Sequence, residues 1–378
     1  MPMLDPQEDI PLMKTSRLAL LVAVGFLAGC NSTSKLVAPQ NAVRSYNGTA
    51  SVGDFLTISI DSAALTITYK NYTNGDTGTV PYTVNADGTY TVTDPQGNLL
   101  AAYEVPGTAL LVEAANAGPN HDTDALITAI ESKPATINTF AGKSFNYLQF
   151  RTSSGGVELG TVAIDALGGI QHEGYWPYGV FSQSLFHGGS FPASSVQEDA
   201  SGNFFTINES DGSSDVVFGT QSGLFAVDTG NGTILALPQA ASKAFDPTYA
   251  GSYTVMYYKK AGAQTGQGNV ETGTPSEGKG TVTIATNGLM TITDSQNAAL
   301  ATGTLAAIAD TPYLYDGTAN KLTDPCNGMF TFRMATGGVQ QDVFVSFQGH
   351  TVVFSSFQTG LPIGSYAPYT YYYGVGLK

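Results

Sequence analysis

The chain has 378 residues, 12% charged and 42% hydrophobic, with 44 glycines, two cysteines and a formal net charge of −15. That is about half the usual ~25% of charged residues. Beyond residue 30 the arginines are Arg44, Arg151 and Arg333 alone. No basic patch can form, which sets nucleic acid and anionic headgroups aside as partners.

Residues 1–12 carry Asp5, Glu8 and Asp9 upstream of a complete signal, so Met13 is expected to be the true start. In MKTSRLALLVAVGFLAGC (13–30), Lys14 and Arg17 form a positive n-region and Leu18 to Phe26 an apolar h-region, with small residues leading to Cys30. That order marks a secretory signal, and the apolar run is far short of the roughly 20 residues a membrane helix needs. Its ending, Leu27-Ala28-Gly29-Cys30, resembles the lipobox of bacterial lipoproteins. The resemblance covers residues 13–30 and no family is recognised for the globular part. It implies diacylglyceryl attachment at the Cys30 thiol, cleavage before Cys30 and acylation of the new amino terminus, hence a membrane partner through lipid. By the same resemblance, Asn31 in place of Asp after the lipidated residue implies sorting to the outer membrane. Cys326 then has no disulfide partner, and burial as a small apolar residue is expected.

Residues 30–44 show no periodicity and read as a tether, reaching about 45–50 Å fully extended or roughly 20 Å as a flexible coil. Beyond it the chain resembles itself three times. Thr57-Ile58-Ser59-Ile60 matches Thr161-Val162-Ala163-Ile164 and Thr281-Val282-Thr283-Ile284. Asp87-Gly88-Thr89-Tyr90 finds counterparts at Gly202-Asn203-Phe204-Phe205 and Gly328-Met329-Phe330, and Asp215-Val216-Val217-Phe218 at Asp342-Val343-Phe344-Val345. The copies recur at about 100–130 residues, far beyond the 20–50 of solenoid and propeller units, which predicts modules over 45–134, 135–245 and 246–378. Each alternates apolar and polar residues in runs of five to seven, broken by Asn-Gly and Asp-Gly turns that suit two-residue hairpins. The expectation is all-β: three tandem antiparallel β-meander modules, each a small barrel or a sandwich. Asp124 to Lys133 admits either a capped helix stopped by Pro134 or a strand, and Tyr369 to Tyr373 reads as a last aromatic strand. Strands this short argue against a membrane-spanning barrel.

The middle module departs from the others in HEGYWPYGVFSQSLFHGGSF (172–191), which holds the sole tryptophan. Tyr175, Trp176 and Tyr178 there form either a platform for a sugar or other ring-bearing ligand, with His172 or Glu173 at its edge, or part of an apolar core. His187-Gly188-Gly189-Ser190 resembles an esterase oxyanion stretch, but no G-x-S-x-G supplies a nucleophile. Asn120, His121, Asp122 and Asp124 do not fit EF-hand spacing. With no triad motif, metal-ligand spacing or cofactor loop, neither metal nor cofactor is expected. The reading is a lipid-anchored envelope protein with a non-catalytic binding or structural role, its partner a carbohydrate or other envelope component. The alternative is an exported polysaccharide-acting hydrolase with its site in the middle module, since carboxylate pairs depend on spatial separation. Replacing Cys30 by Ser should abolish metabolic labelling with a fatty-acid probe and leave uncleaved precursor; label surviving the substitution would sink the lipoprotein assignment.

Overall fold

The computed structural model describes residues 43–118, 123–150, 157–175, 186–221, 223–265, 268–271, 276–308, 326–336, 339–358 and 368–378. Cys30 lies outside them, as do Asn120, His121 and Asp122. Strand counts here are of the described residues.

The molecule is all-β, built as three antiparallel sheets. The first is a closed barrel of β1 (Val43–Ala50), β2 (Phe55–Asp61), β3 (Thr66–Asn71), β4 (Thr77–Val84), β5 (Tyr90–Thr93), β6 (Leu99–Val105), β7 (Ala109–Ala117) and β8 (Thr123–Glu131). Asp124 to Glu131 is therefore strand, since β8 closes the barrel against both β7 and β1. A single helical turn, α1 (Ile137–Phe140), leads to the second sheet. It holds β9 (Lys143–Phe150), β10 (Val157–Ile164), β11 (Ile170–Tyr175), β12 (Phe186–Phe191), β13 (Val196–Glu198), β14 (Phe205–Asn208), β15 (Ser214–Gly219), β16 (Phe225–Asp228) and β17 (Thr233–Pro238). The third comprises β18 (Gly251–Thr265), β19 (Gly268–Glu271), β20 (Ser276–Ile284), β21 (Leu289–Asp294), β22 (Ala299–Thr304), β23 (Ala306–Ala307), β24 (Met329–Thr336), β25 (Val339–Gln348), β26 (Thr351–Gln358) and β27 (Pro368–Leu377).

In each sheet the opening strand pairs with both its successor and the last strand, which curls the meander into a barrel: β1 with β2 and β8, β9 with β10 and β17, β18 with β20 and β27. The second and third barrels are nearly closed, their paths ending at β12 and β13 and at β22 and β23. The matched sequence segments occupy the same places in this order. Ile58, Val162 and Val282 lie on the second strand of each barrel, opposite Tyr46, Phe145 and Tyr253 of the opening strand. The turns at Gly88, Gly202 and Gly328 have positive φ and enter the fourth strand from the end.

Side chains alternate across a strand, and here many strands bury both faces. In β9, Phe145 and Tyr147 fill the second barrel while Leu148 and Phe150 point outward into a core shared by all three. In β18, Tyr253, Val255 and Tyr257 are interior and Met256 and Tyr258 join the shared core; in β7, Leu110 and Val112 are interior and Leu111 is shared. Phe150 stacks on Tyr373 at 4.6 Å and meets Tyr258 edge-on at 4.8 Å. Cys326 is buried in the same core.

Polar joints surround it. Asn47 Nδ2 of barrel 1 donates to the Asn203 carbonyl of barrel 2 (3.0 Å), and Asn146 Nδ2 of barrel 2 to the Asn327 carbonyl of barrel 3 (2.7 Å). Lys279 Nζ of barrel 3 returns to Asp87 of barrel 1 (2.6 Å). Each donor holds the turn before the fourth-last strand of the next barrel, so the contacts run 1 to 2 to 3 to 1 and close a ring. At the first joint Gly53 (φ +90°) lies so close to Gly230 and Asn231 that a Cβ would come within 2.3 Å of their backbone.

Beside that contact Asp228 is buried, and its Oδ2 has no hydrogen-bond partner. Burial pushes its carboxyl up to about 7, aided by the charge of Asp54 across the joint and opposed by the Gly230 N–H. A carboxyl whose folded pKa lies above its unfolded one favours folding fully at low pH and loses that contribution as pH rises through the folded value. Stability should therefore fall between about pH 4 and pH 7, by at most about 4 kcal/mol. Asp228→Asn should flatten that slope and raise the melting temperature at pH 8; an unchanged slope would contradict it.

Candidate functional site

The interior of barrel 2 is incompletely filled, leaving a cavity of about 330 Å³. It sits within the inward-facing rows that alternation lays down on β9 to β12 and β14 to β17. Phe140, Phe205 and Phe225 form its apolar end, where Phe140 meets Phe225 edge-on at 5.3 Å. Tyr147, Glu158, His172, Glu209 and Asp215 are among the polar lining, and among the described lining residues there is no lysine or arginine.

Two glycines make that lining possible. Gly160 lies opposite Tyr147, and a Cβ there would stand 2.6 Å from the phenol ring. Its absence lets Tyr147 lie across β10 and donate its hydroxyl to Glu158, which is 4% exposed. Gly189 lies opposite His172, and a Cβ would fall 2.6 Å from Cε1. The imidazole spreads over that gap and stacks on Phe191 at 5.8 Å and 19°. Gly189 in His187-Gly188-Gly189-Ser190 thus has a packing use, as a shelf for a ring on the neighbouring strand.

Of the residues the sequence singled out, His172 lines the cavity. Glu173 is its neighbour on β11 and faces the other side, over Gly188, so the two do not share one edge. Trp176 and Tyr178 lie outside the described residues, as does the side chain of Tyr175. They belong to the segment joining β11 to β12, the two strands that present His172 and Phe191. Glu158, Glu209 and Asp215 were not legible as a group, because they come from β10, the β14–β15 turn and β15. A glycine in mid-strand at position 160, a mark of close approach, was the available signal for Tyr147 and Glu158. Among the described residues no cluster of three or more metal-ligating side chains occurs.

Such a cavity is suited to holding a ligand: it is mostly apolar, ringed, and furnished with a few converging polar groups. Its three carboxylates disfavour an anion. The Tyr147 hydroxyl, His172 and the carboxylates can together serve the hydroxyls of an uncharged ring.

No family model matches the chain, and no curated protein matches it. Among solved structures, the DNA polymerase III subunit beta from Pseudomonas aeruginosa aligns at 10% identity over 90% of this chain and 94% of that one, with a TM-score of 0.14. The DNA polymerase III beta chain from Streptococcus pneumoniae aligns at 8% identity over 89% and 92%, with a TM-score of 0.13. These scores are far below those of a shared fold.

The shelf under His172 can be tested directly. Gly189→Val should force the imidazole off Phe191, removing the ring-current shift of the His172 Cε1 proton in NMR spectra. Overpacking should cost about 1–3 kcal/mol of stability. Phe191→Leu should remove the same ring-current shift without overpacking; a proton that moves in neither variant would refute the stack.

Proposed function

We propose that this protein is a lipid-anchored component of a bacterial outer membrane that holds an uncharged, ring-bearing envelope ligand, a carbohydrate above all, in the cavity of its second barrel. The observation that carries the reading is the aromatic-walled cavity itself. Its volume lies at the lower end of the roughly 300–1,000 Å³ usual for small-molecule sites, and its polar groups suit hydroxyls better than charge. The anchor and location rest on residues 13–31, read from sequence. The common strand order of the three barrels and their ring of joints support descent from one repeated domain, with binding specialised in the middle copy. Tyr175 ends the strand that carries His172, and Trp176 and Tyr178 come after it, which puts the sole tryptophan close in sequence to the cavity lining.

A second reading has its own support. Glu158, Glu209 and Asp215 line one cavity, and glycoside hydrolysis needs two carboxylates flanking the bond. The two readings part on turnover.

Intrinsic tryptophan fluorescence of the mature protein, titrated with neutral glycan and peptidoglycan fragments, should report saturable binding with no cleavage products by mass spectrometry. Val162→Phe, which fills the cavity from β10, should abolish that binding. Trp176→Ala should weaken it by about 2 kcal/mol or more with little change in melting temperature. A stability loss of about 3–5 kcal/mol on Trp176→Ala would instead make that side chain core. Product formation would favour the hydrolase, and binding that survives Val162→Phe would remove the cavity from the mechanism.

A further inference from the structure

Barrel 1 is built differently at its two ends. At the end where β1 starts and β6 finishes, Glu104 is buried and receives Arg44 through Nε at 2.6 Å and Nη2 at 2.7 Å. The Tyr46 and Tyr90 hydroxyls also donate to it, the latter at 2.7 Å. Burial works to raise the Glu104 carboxyl, and these donors overcome it and hold it below the ordinary glutamate value. Charge and hydrogen-bonding capacity are matched there, and the end is plugged.

The opposite end holds a cavity of about 260 Å³. Its walls are the inward rows of the barrel, among them Leu56, Ile58, Ile67, Val80, Val112 and Ile127. Tyr69 stands at its side, with Gly78 beneath the ring, where a Cβ would come within 2.9 Å of it. Asp54, Asp76 and Asp94 line the same cavity, and no lysine, arginine or histidine does. Burial, together with the charges of Asp76 and Asp94, raises the Tyr69 phenol above its ordinary value.

One of these acids ties down a turn. Asp94 accepts from the Asn98 backbone and side chain, both at 2.7 Å, and so fixes the β5–β6 turn. Asp54 is different. Continuing the inward row of Leu56 and Ile58, it is 2% exposed; its Oδ2 accepts from Asn71 Nδ2 at 2.8 Å and from the Gly118 N–H at 3.3 Å, and its Oδ1 accepts from nothing. A buried carboxylate oxygen without a donor costs free energy that a bound donor would recover. An ammonium group supplies hydrogen-bond donors and the missing positive charge together, and an aromatic face beside it adds cation–π attraction.

We infer that the barrel 1 cavity is a second ligand site, which takes an organic cation with an apolar body: the ammonium head on Asp54 and over Tyr69, the hydrocarbon against Leu56, Ile58 and Val112. The site is separate from that of barrel 2 and stands or falls without it.

Three probes of matched length separate charge from hydrophobicity: n-hexylammonium, hexan-1-ol and hexanoate, titrated against the full mature chain by calorimetry at pH 7.5. Hexylammonium should bind at least tenfold more tightly than the alcohol, and hexanoate more weakly than either. Asp54→Asn, which preserves shape and one acceptor, should bring hexylammonium down to the level of the alcohol. Tyr69→Leu should weaken hexylammonium several-fold more than it weakens the alcohol, which keeps the proposal testable if the Asp54 variant folds poorly. Val162→Phe, which fills barrel 2 only, should leave hexylammonium binding in place. Equal binding of amine and alcohol would overturn the proposal. So would amine binding that survives both barrel 1 substitutions, or amine binding lost in Val162→Phe.

Discussion

The structure depends on strands that are apolar on both faces. An isolated small barrel needs one buried face per strand, and its exterior is free to be polar. Here β7, β8, β9, β17, β18, β25 and β26 place one row inside their own barrel and the other in a core shared by all three, so no barrel completes its burial alone. Phe150 of barrel 2 stacked on Tyr373 of barrel 3 is the clearest sign of this dependence. Cys326, the only cysteine among the described residues, is buried in this shared core, which ties the three barrels together.

Hydrophobic burial is not directional, and by itself would not fix how the barrels turn against one another. The joints at Asn47, Asn146 and Lys279 supply direction, since each engages a particular turn of the next barrel. Three like domains contacting head to tail in a closed ring is the arrangement expected of a cyclic trimer, here within one chain. The close approach of Gly53 to Gly230 and the buried Asp228 lie at one of these joints, where the close fit leaves one oxygen of a buried carboxyl without a donor.

The interiors show how one architecture yields different sites. Barrel 1 closes one end with a paired Arg44–Glu104 network and leaves carboxylates at the other. Barrel 2 uses Gly160 and Gly189 to lay Tyr147 and His172 across neighbouring strands, making a polar lining inside an aromatic cup. In barrel 3, where a Cβ at Gly374 would come within 2.3 Å of the Phe354 ring and one at Gly303 within 2.3 Å of Phe332, glycines instead let rings fill the space. Glycine placement on inward rows thus decides between a filled core and a cavity.

The sequence alone determined the elements. Period-two alternation and Asn-Gly and Asp-Gly turns are local signals, so strands, hairpins, the three-module all-β class and the buried Cys326 were all legible. So was His172 as a residue of interest, though not the company it keeps. Asp124 to Lys133 remained ambiguous between helix and strand because the short apolar run at 125–130 carries no decisive period; pairing of β8 with both β7 and β1 decided it. Tertiary structure alone decided which side of each apolar run faced its own barrel and which faced the shared core. It also separated His172 from Glu173 by one pleat, gathered Glu158, Glu209 and Asp215 from two strands and a turn, and left Asp54 with an oxygen unpaired. Barrel closure brings together residues up to nine strands apart, and local sequence carries no record of which of them will meet.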